Sequence, residues 1–130
     1  DYHFRSFQQQ ILPELNRREI GVIGMKSLGG DAQFVKSAGL TPQDCRRYAL
    51  SLPISTLICG IESMENLEQD LEIARSFEPM SEDEMNTLRD RIRDTATDGR
   101  FEWFKTTQYY DSAIHREQHG FPPVATVSGR

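Results

Sequence analysis

The sequence has little of what marks several functional classes. No apolar run reaches the roughly 18 residues that a membrane-spanning helix needs, and no signal-peptide pattern is visible. There is no basic stripe either. Its 15 Lys and Arg are mixed among 20 Asp and Glu for a net charge of −5, which is not the footprint of a nucleic-acid surface. Two cysteines are too few for a disulfide framework. Internal repeats and low-complexity runs are also missing. The expectation is a cytoplasmic protein with neither nucleic acid nor membrane as partner. The chain opens at Asp1, so a targeting segment upstream of it stays an open matter. At 130 residues the chain suits one domain with a modest core.

What is present is a pair of apolar strands, each ending in a polar, glycine-bearing turn. The first is Ile20 to Met25, running into Lys26-Ser27-Leu28-Gly29-Gly30. It is apolar on both faces, as a buried parallel strand is, and its glycines weaken it locally or let another element pack close. The second, about Thr56 to Cys59, opens through Gly60-Ile61-Glu62-Ser63 into an amphipathic helix. A helix lies between the strands, so the segment reads as a βαβ unit of an α/β protein. Ligands of such folds gather at the carboxyl ends of the strands.

The helices follow from their punctuation. Residues 5–18 carry Phe7, Ile11, Leu12 and Leu15 on one side, with Pro13 kinking or restarting the helix. A single turn is expected near Ala32 to Lys36. Thr41-Pro42-Gln43-Asp44 starts a helix that runs to about Leu52, with Cys45, Tyr48, Ala49 and Leu52 at helical spacing. Ser63 caps a helix to about Phe77, with Met64, Leu67, Leu71 and Ala74 inward. Ser81-Glu-Asp-Glu84 is a capping box for a helix to about Thr95, with Met85, Leu88 and Ile92 inward. Beyond Gly99 the pattern fades. Residues 1–98 form the structured part, and 99–130 read as an irregular tail lying on something else. Two strands leave sheet edges and faces uncovered, so further strands from more chain or from a partner are expected.

These pieces, in order, resemble the last third of the aldo-keto reductase family. Phe4-Arg5-Ser6-Phe7 with Ile11-Leu12-Pro13 is similar to the helix before the seventh barrel strand, and Ile20 to Gly30 to that strand and its loop. Tyr48-Ala49-Leu50 and Thr56 to Gly60 resemble the seventh helix and eighth strand. Glu65-Asn66-Leu67-Glu68-Gln69-Asp70 resembles the cofactor-gripping start of the eighth helix, and Phe77-Glu78-Pro79-Met80-Ser81 the close of the barrel. The resemblance spans Asp1 to about Phe121. It implies the C-terminal portion of a (β/α)8 TIM barrel, a fold of about 250 residues. It also implies an NAD(P)-dependent carbonyl/alcohol oxidoreductase acting on a small carbonyl substrate. The family's aspartate, tyrosine, lysine and histidine tetrad lies on earlier strands, so no catalytic residue is expected here. Tyr48, Tyr109, Tyr110 and His115 are not candidates for it. Alone, the chain is expected to be inactive, with the rest of the barrel or a second subunit completing it. The alternative is a non-catalytic half-barrel that serves as an interaction or regulatory module and dimerises through its open edges.

The resemblance places Met25, Lys26, Ser27, Leu28 and Gly29 along an NADP cofactor. Backbone N–H groups and a lysine near a helix start suit a pyrophosphate; the bland alternative is a tight turn with an exposed lysine. Gly60, Glu62, Ser63, Asn66, Gln69 and Asp70 fall at the adenosine end. There the sequence departs from the family. Glu62 replaces a serine or arginine, and Gln69-Asp70 replaces Glu-Asn. A carboxylate repels a 2′-phosphate but accepts a hydrogen bond from a ribose hydroxyl, which brings NAD into contention. The competing reading is that both acids simply favour the helix dipole.

Other candidates are weaker. Cys45 and Cys59 read as reduced, buried thiols, with a disulfide left open. No histidine lies near either in sequence, which argues against a catalytic thiol. His115 and His119 have helical metal-site spacing but no third ligand, and Gly120-Phe-Pro-Pro ends any helix, so no metal is expected. Phe101, Trp103, Phe104, Tyr109 and Tyr110 suit packing of the tail on the barrel or a neighbour, with a substrate-pocket wall as the alternative.

Overall fold

The computed structural model describes residues 1–29, 33–102, 105, 113–118 and 120–122. The chain begins with α1 (Phe7–Gln10) and α2 (Leu12–Arg17). The Ser6 hydroxyl caps α1 by accepting from Gln9 N at 3.0 Å. Pro13 falls in the first turn of α2, where its missing N–H does no harm. The predicted restart therefore occurs, but the single apolar side does not survive it. Leu12 is buried and Leu15 half-buried, whereas Phe7 and Ile11 are exposed. The break at Ile11, which ends α1 and begins α2, interrupts the stripe.

Strand β1 (Ile23–Gly24) and strand β2 (Thr56–Leu57) pair in parallel, with Ile23 opposite Thr56 and Gly24 opposite Leu57. Flanking bonds run from Ser55 N to Val22 O and from Ile58 N to Gly24 O, both 2.8 Å. Between the strands lie α3 (Gln33–Ser37) and α4 (Pro42–Leu50). The expected parallel βαβ order is thus present. The regular strands are shorter than 20–25 and 56–59, because each has one hydrogen-bonding neighbour among the described residues. Gly24 serves close packing. A Cβ there would sit 2.8 Å from Ile54 Cδ1 and 3.0 Å from Leu57 Cδ1.

Thr41 caps α4 reciprocally with Asp44. Its Oγ1 accepts from Asp44 N at 3.1 Å, and Asp44 Oδ2 accepts from Thr41 N at 2.9 Å. Ser63 caps α5 (Met64–Arg75), accepting from Asn66 N at 3.2 Å. Ser81 and Glu84 form the predicted capping box of α6 (Glu82–Ala96). Each such cap is worth about 1 kcal/mol. In the tail, α7 (Ala113–Gln118) is helical and stops before Gly120, whose φ is +68°.

Val35, Leu40 and Cys45 form the core, and Leu28, Phe34, Ala38, Leu88 and Ile92 pack against it. Helix α6 turns Met85, Leu88 and Ile92 inward as predicted, together with Arg89. Helix α5 is rotated from expectation. Ile73 is buried and Leu67 and Asp70 half-buried, while Met64, Leu71 and Ala74 are exposed. The inward line therefore runs Leu67–Asp70–Ile73, which brings the Asp70 carboxylate onto an arginine of α4.

Among the described residues the sheet is covered on one face only. Leu57 and Cys59 lie under the helices, whereas Ile23 is 64 % exposed, Met25 63 % and Ile58 51 %. The expectation of a β1 buried on both faces is corrected accordingly: among the described residues no second layer lies over that side. Described tail residues return to the body of the chain. Phe101 meets Phe34 edge-on at 5.7 Å, and Lys105 pairs with Glu102 at 2.8 Å and with Asp1. Trp103, Phe104, Tyr109 and Tyr110 lie outside the described residues. No helix among those described is long and apolar enough to cross a membrane.

Candidate functional site

Parallel pairing puts the exits of β1 and β2 at the same edge of the sheet. From β1 the chain turns at once. Lys26 adopts φ +55°, the left-handed region that lysine rarely enters, and Gly29 N donates to Lys26 O at 2.8 Å to close the turn. Gly29 holds φ +80°, where a side chain would be strained, and a Cβ there would press on Phe34 Cβ at 3.3 Å. The turn leaves Met25 and Lys26 exposed and directs Leu28 into the core cluster. Leu28, half-buried against that cluster, keeps part of its side chain at the surface. Gly30 lies outside the described residues.

From β2 the chain passes Gly60, beside which an added Cβ would meet nothing within 4 Å. Glu62, Ser63, Asn66 and Gln69 follow, all exposed. The Ser63 hydroxyl is engaged as the cap of α5. A hydrogen bond from its own backbone N–H, then one from the Ser63 hydroxyl, hold the Glu65 carboxyl below its ordinary range. The positive end of α5 is therefore already partly answered by a carboxylate.

The two stretches meet through a residue that the sequence did not single out. Arg46 of α4 is only 4 % exposed. Its Nε and Nη2 donate to Asp70 Oδ1 and Oδ2 at 3.0 and 3.1 Å, and its Nη1 donates to Ser27 Oγ at 2.6 Å. Of the predicted site residues, Ser27 and Asp70 are thus brought together on one guanidinium. The signal for Arg46 was its position. It lies three and four residues before Ala49 and Leu50, in line with an apolar stripe, just as Asp70 lies midway between Leu67 and Ile73.

Beneath this fork is a half-open cavity of about 330 Å³, lined by Arg46, Thr56, Leu57, Cys59, Asp70 and Ile73 among others. Both cysteines are free thiols. Burial pushes the Cys59 thiol up, opposed by Arg46 and reinforced by Asp70. Burial, then the neighbouring Asp44 charge, pushes Cys45 to about 11. Neither is poised as a nucleophile at neutral pH. Cys59 is the more accessible, so a thiol reagent at pH 8 should label it well before Cys45, with Cys45 reacting fully only in denaturant. Peptide mass spectrometry over time checks this, and equal native rates would contradict it.

No group of three His, Cys, Asp or Glu side chains able to hold a metal occurs among the described residues. His119 lies outside them. No protein-family model, no curated protein and no solved structure matches the chain.

Proposed function

We propose that the chain is the cofactor-binding C-terminal part of an NAD(P)-dependent carbonyl/alcohol oxidoreductase of the aldo-keto reductase type. It would hold the dinucleotide and close a (β/α)8 barrel whose reactive residues lie on other strands. The single observation that carries this is the union of Ser27 and Asp70 on Arg46, at the common edge where two parallel strands end. Two stretches 43 residues apart, each resembling one half of a dinucleotide grip, become one rim.

The donor set suits a pyrophosphate. Backbone N–H groups of Ser27 and Leu28 and the exposed Lys26 ammonium would hold it, and Gly60 leaves room beside the end of β2. The exposed Glu62 suits a ribose hydroxyl better than a 2′-phosphate, which favours NAD over NADP at this rim. When bound, the nicotinamide supplies or accepts the hydride exchanged with a carbonyl carbon. This chain's own contribution is to bind and orient. The uncovered strand face of Ile23, Met25 and Ile58 further supports a barrel interior that other strands complete.

Titration with NADH and NADPH, followed by calorimetry, tests the assignment. Saturable binding of at least one is expected. Glu62→Ser should move the NADPH-to-NADH affinity ratio toward NADPH by about fivefold, or about 1 kcal/mol, the worth of one unit-charge pair at about 4 Å in water. No saturable binding of either at millimolar concentration would end the proposal. An unchanged ratio would show that Glu62 does not face the 2′ position.

The bare apolar face also favours a second reading, a non-catalytic half-barrel module that dimerises. In that case the chain self-associates in sedimentation and binds neither dinucleotide.

A further inference from the structure

Arg46 belongs to α4, which contributes no residue to the rim itself. Its guanidinium is nevertheless spent on the rim's two sides. Two of its nitrogens fork onto Asp70 in the second turn of α5, and the third reaches Ser27 in the turn leaving β1. Both charges are largely withdrawn from water, the Asp70 side chain being 13 % exposed. Buried ion pairs of this kind contribute little net stability compared with apolar residues of similar volume. What a planar fork with a third donor does supply is fixed geometry between the groups it joins. The Lys26–Gly29 turn needs such fixing. Besides the Ser27 bond it is held by its own Gly29–Lys26 hydrogen bond and by Leu28 in the core.

We propose that Arg46 is a positioning residue of the rim: it sets the β1 turn against α5 through Ser27 and neutralises Asp70, so that a bound dinucleotide meets Glu62 and not Asp70 as the discriminating acid. This deepens, and rests on, the assignment of the rim to a nicotinamide dinucleotide. Arg46 is 4 % exposed and all three of its guanidinium nitrogens are already engaged. Its influence passes through the hydroxyl of Ser27 and the charge of Asp70. Ser27 then matters less as a direct phosphate ligand than as the handle by which the turn is held.

The test is a double-mutant cycle on the full chain. One axis is Ser27→Ala. The other replaces the ion pair with an apolar one, Arg46→Met with Asp70→Leu. Melting temperature and the dissociation constants for NADH and NADPH are measured for all four proteins. The apolar pair should melt within a few degrees of the parent yet bind both dinucleotides about tenfold more weakly, within the range of coupling expected for contacting residues. Ser27→Ala should weaken binding severalfold in the parent and have no further effect in the apolar-pair background. Parent-like affinity in the apolar pair would reduce Arg46 to a structural role and overturn the proposal. So would a Ser27→Ala loss that persists undiminished in that background, since Ser27 would then act without Arg46. If the apolar pair does not fold, Arg46→Lys takes its place in the same cycle, keeping a charge for Asp70 while losing the fork. A parent protein that binds neither dinucleotide removes the rim assignment and this proposal together. A parent that binds, with variants that bind equally well, removes the proposal alone.

Discussion

Arg46→Ala should destabilise the fold by about 3–5 kcal/mol, the usual result of removing one partner from a buried ion pair. The loss does not measure the attraction between Arg46 and Asp70. It measures what is left behind. The Asp70 carboxylate, 13 % exposed in its side chain, would lose both donors, and the Ser27 hydroxyl would lose its partner as well. Set against the total stability of about 5–15 kcal/mol typical of a domain, this is a large fraction. Urea denaturation of the single variant, beside the Arg46→Met/Asp70→Leu pair, checks it. The single variant should unfold at much lower urea and the pair close to the parent. A loss below about 1 kcal/mol for Arg46→Ala would mean that Asp70 reaches water freely, and that the pair is not closed as described.

Arg89→Ala should be the second most damaging change, at about 2–3 kcal/mol. Arg89 joins three helices. Its Nε donates to Tyr48 Oη at 3.0 Å, and Tyr48 in turn donates to Gln8 Oε1 at 2.9 Å. Its Nη1 donates to Glu82 and Asn86 at 2.7 and 2.9 Å, and its guanidinium lies 4.3 Å from the centre of the Tyr2 ring. The Glu82 pair is the least of these, because Glu82 is 71 % exposed and loses little by turning to water. The buried stem, the Tyr2 face and the bond to Tyr48 carry the effect. Arg89→Met, which keeps the stem, should therefore recover about half of the loss. Thermal melting of the two variants separates the contributions. Equal losses would assign the whole effect to the guanidinium.

The parallel βαβ order was legible because its signals are local. An apolar strand, a glycine-bearing exit and a capped crossover helix can each be read within a few residues. The capping residues Thr41, Ser63 and Ser81 fall where expected for the same reason. The rotation of α5 was not legible. Its apolar residues permit two stripes that share Leu67, the expected Met64–Leu67–Leu71–Ala74 and the observed Leu67–Ile73, and helical periodicity alone cannot choose between them. The choice falls to a charge, since only one setting brings Asp70 to Arg46. Arg46 was overlooked for the matching reason. Its partners lie 19 and 24 residues away, and an arginine within an amphipathic helix reads as solvated until the partner's position is known. Strand length was overestimated because pairing, and not composition, decides where a strand ends. The split of the first helix at Ile11 interrupted its stripe and changed which of its residues were buried.

The single-sided cover of the two strands has a bearing on what keeps them paired. An isolated pair of strands does not persist in water, and among the described residues this pair has helices on one flank alone. Helices α4 and α5, clasped by Arg46 and Asp70, are therefore the support on which the ribbon depends.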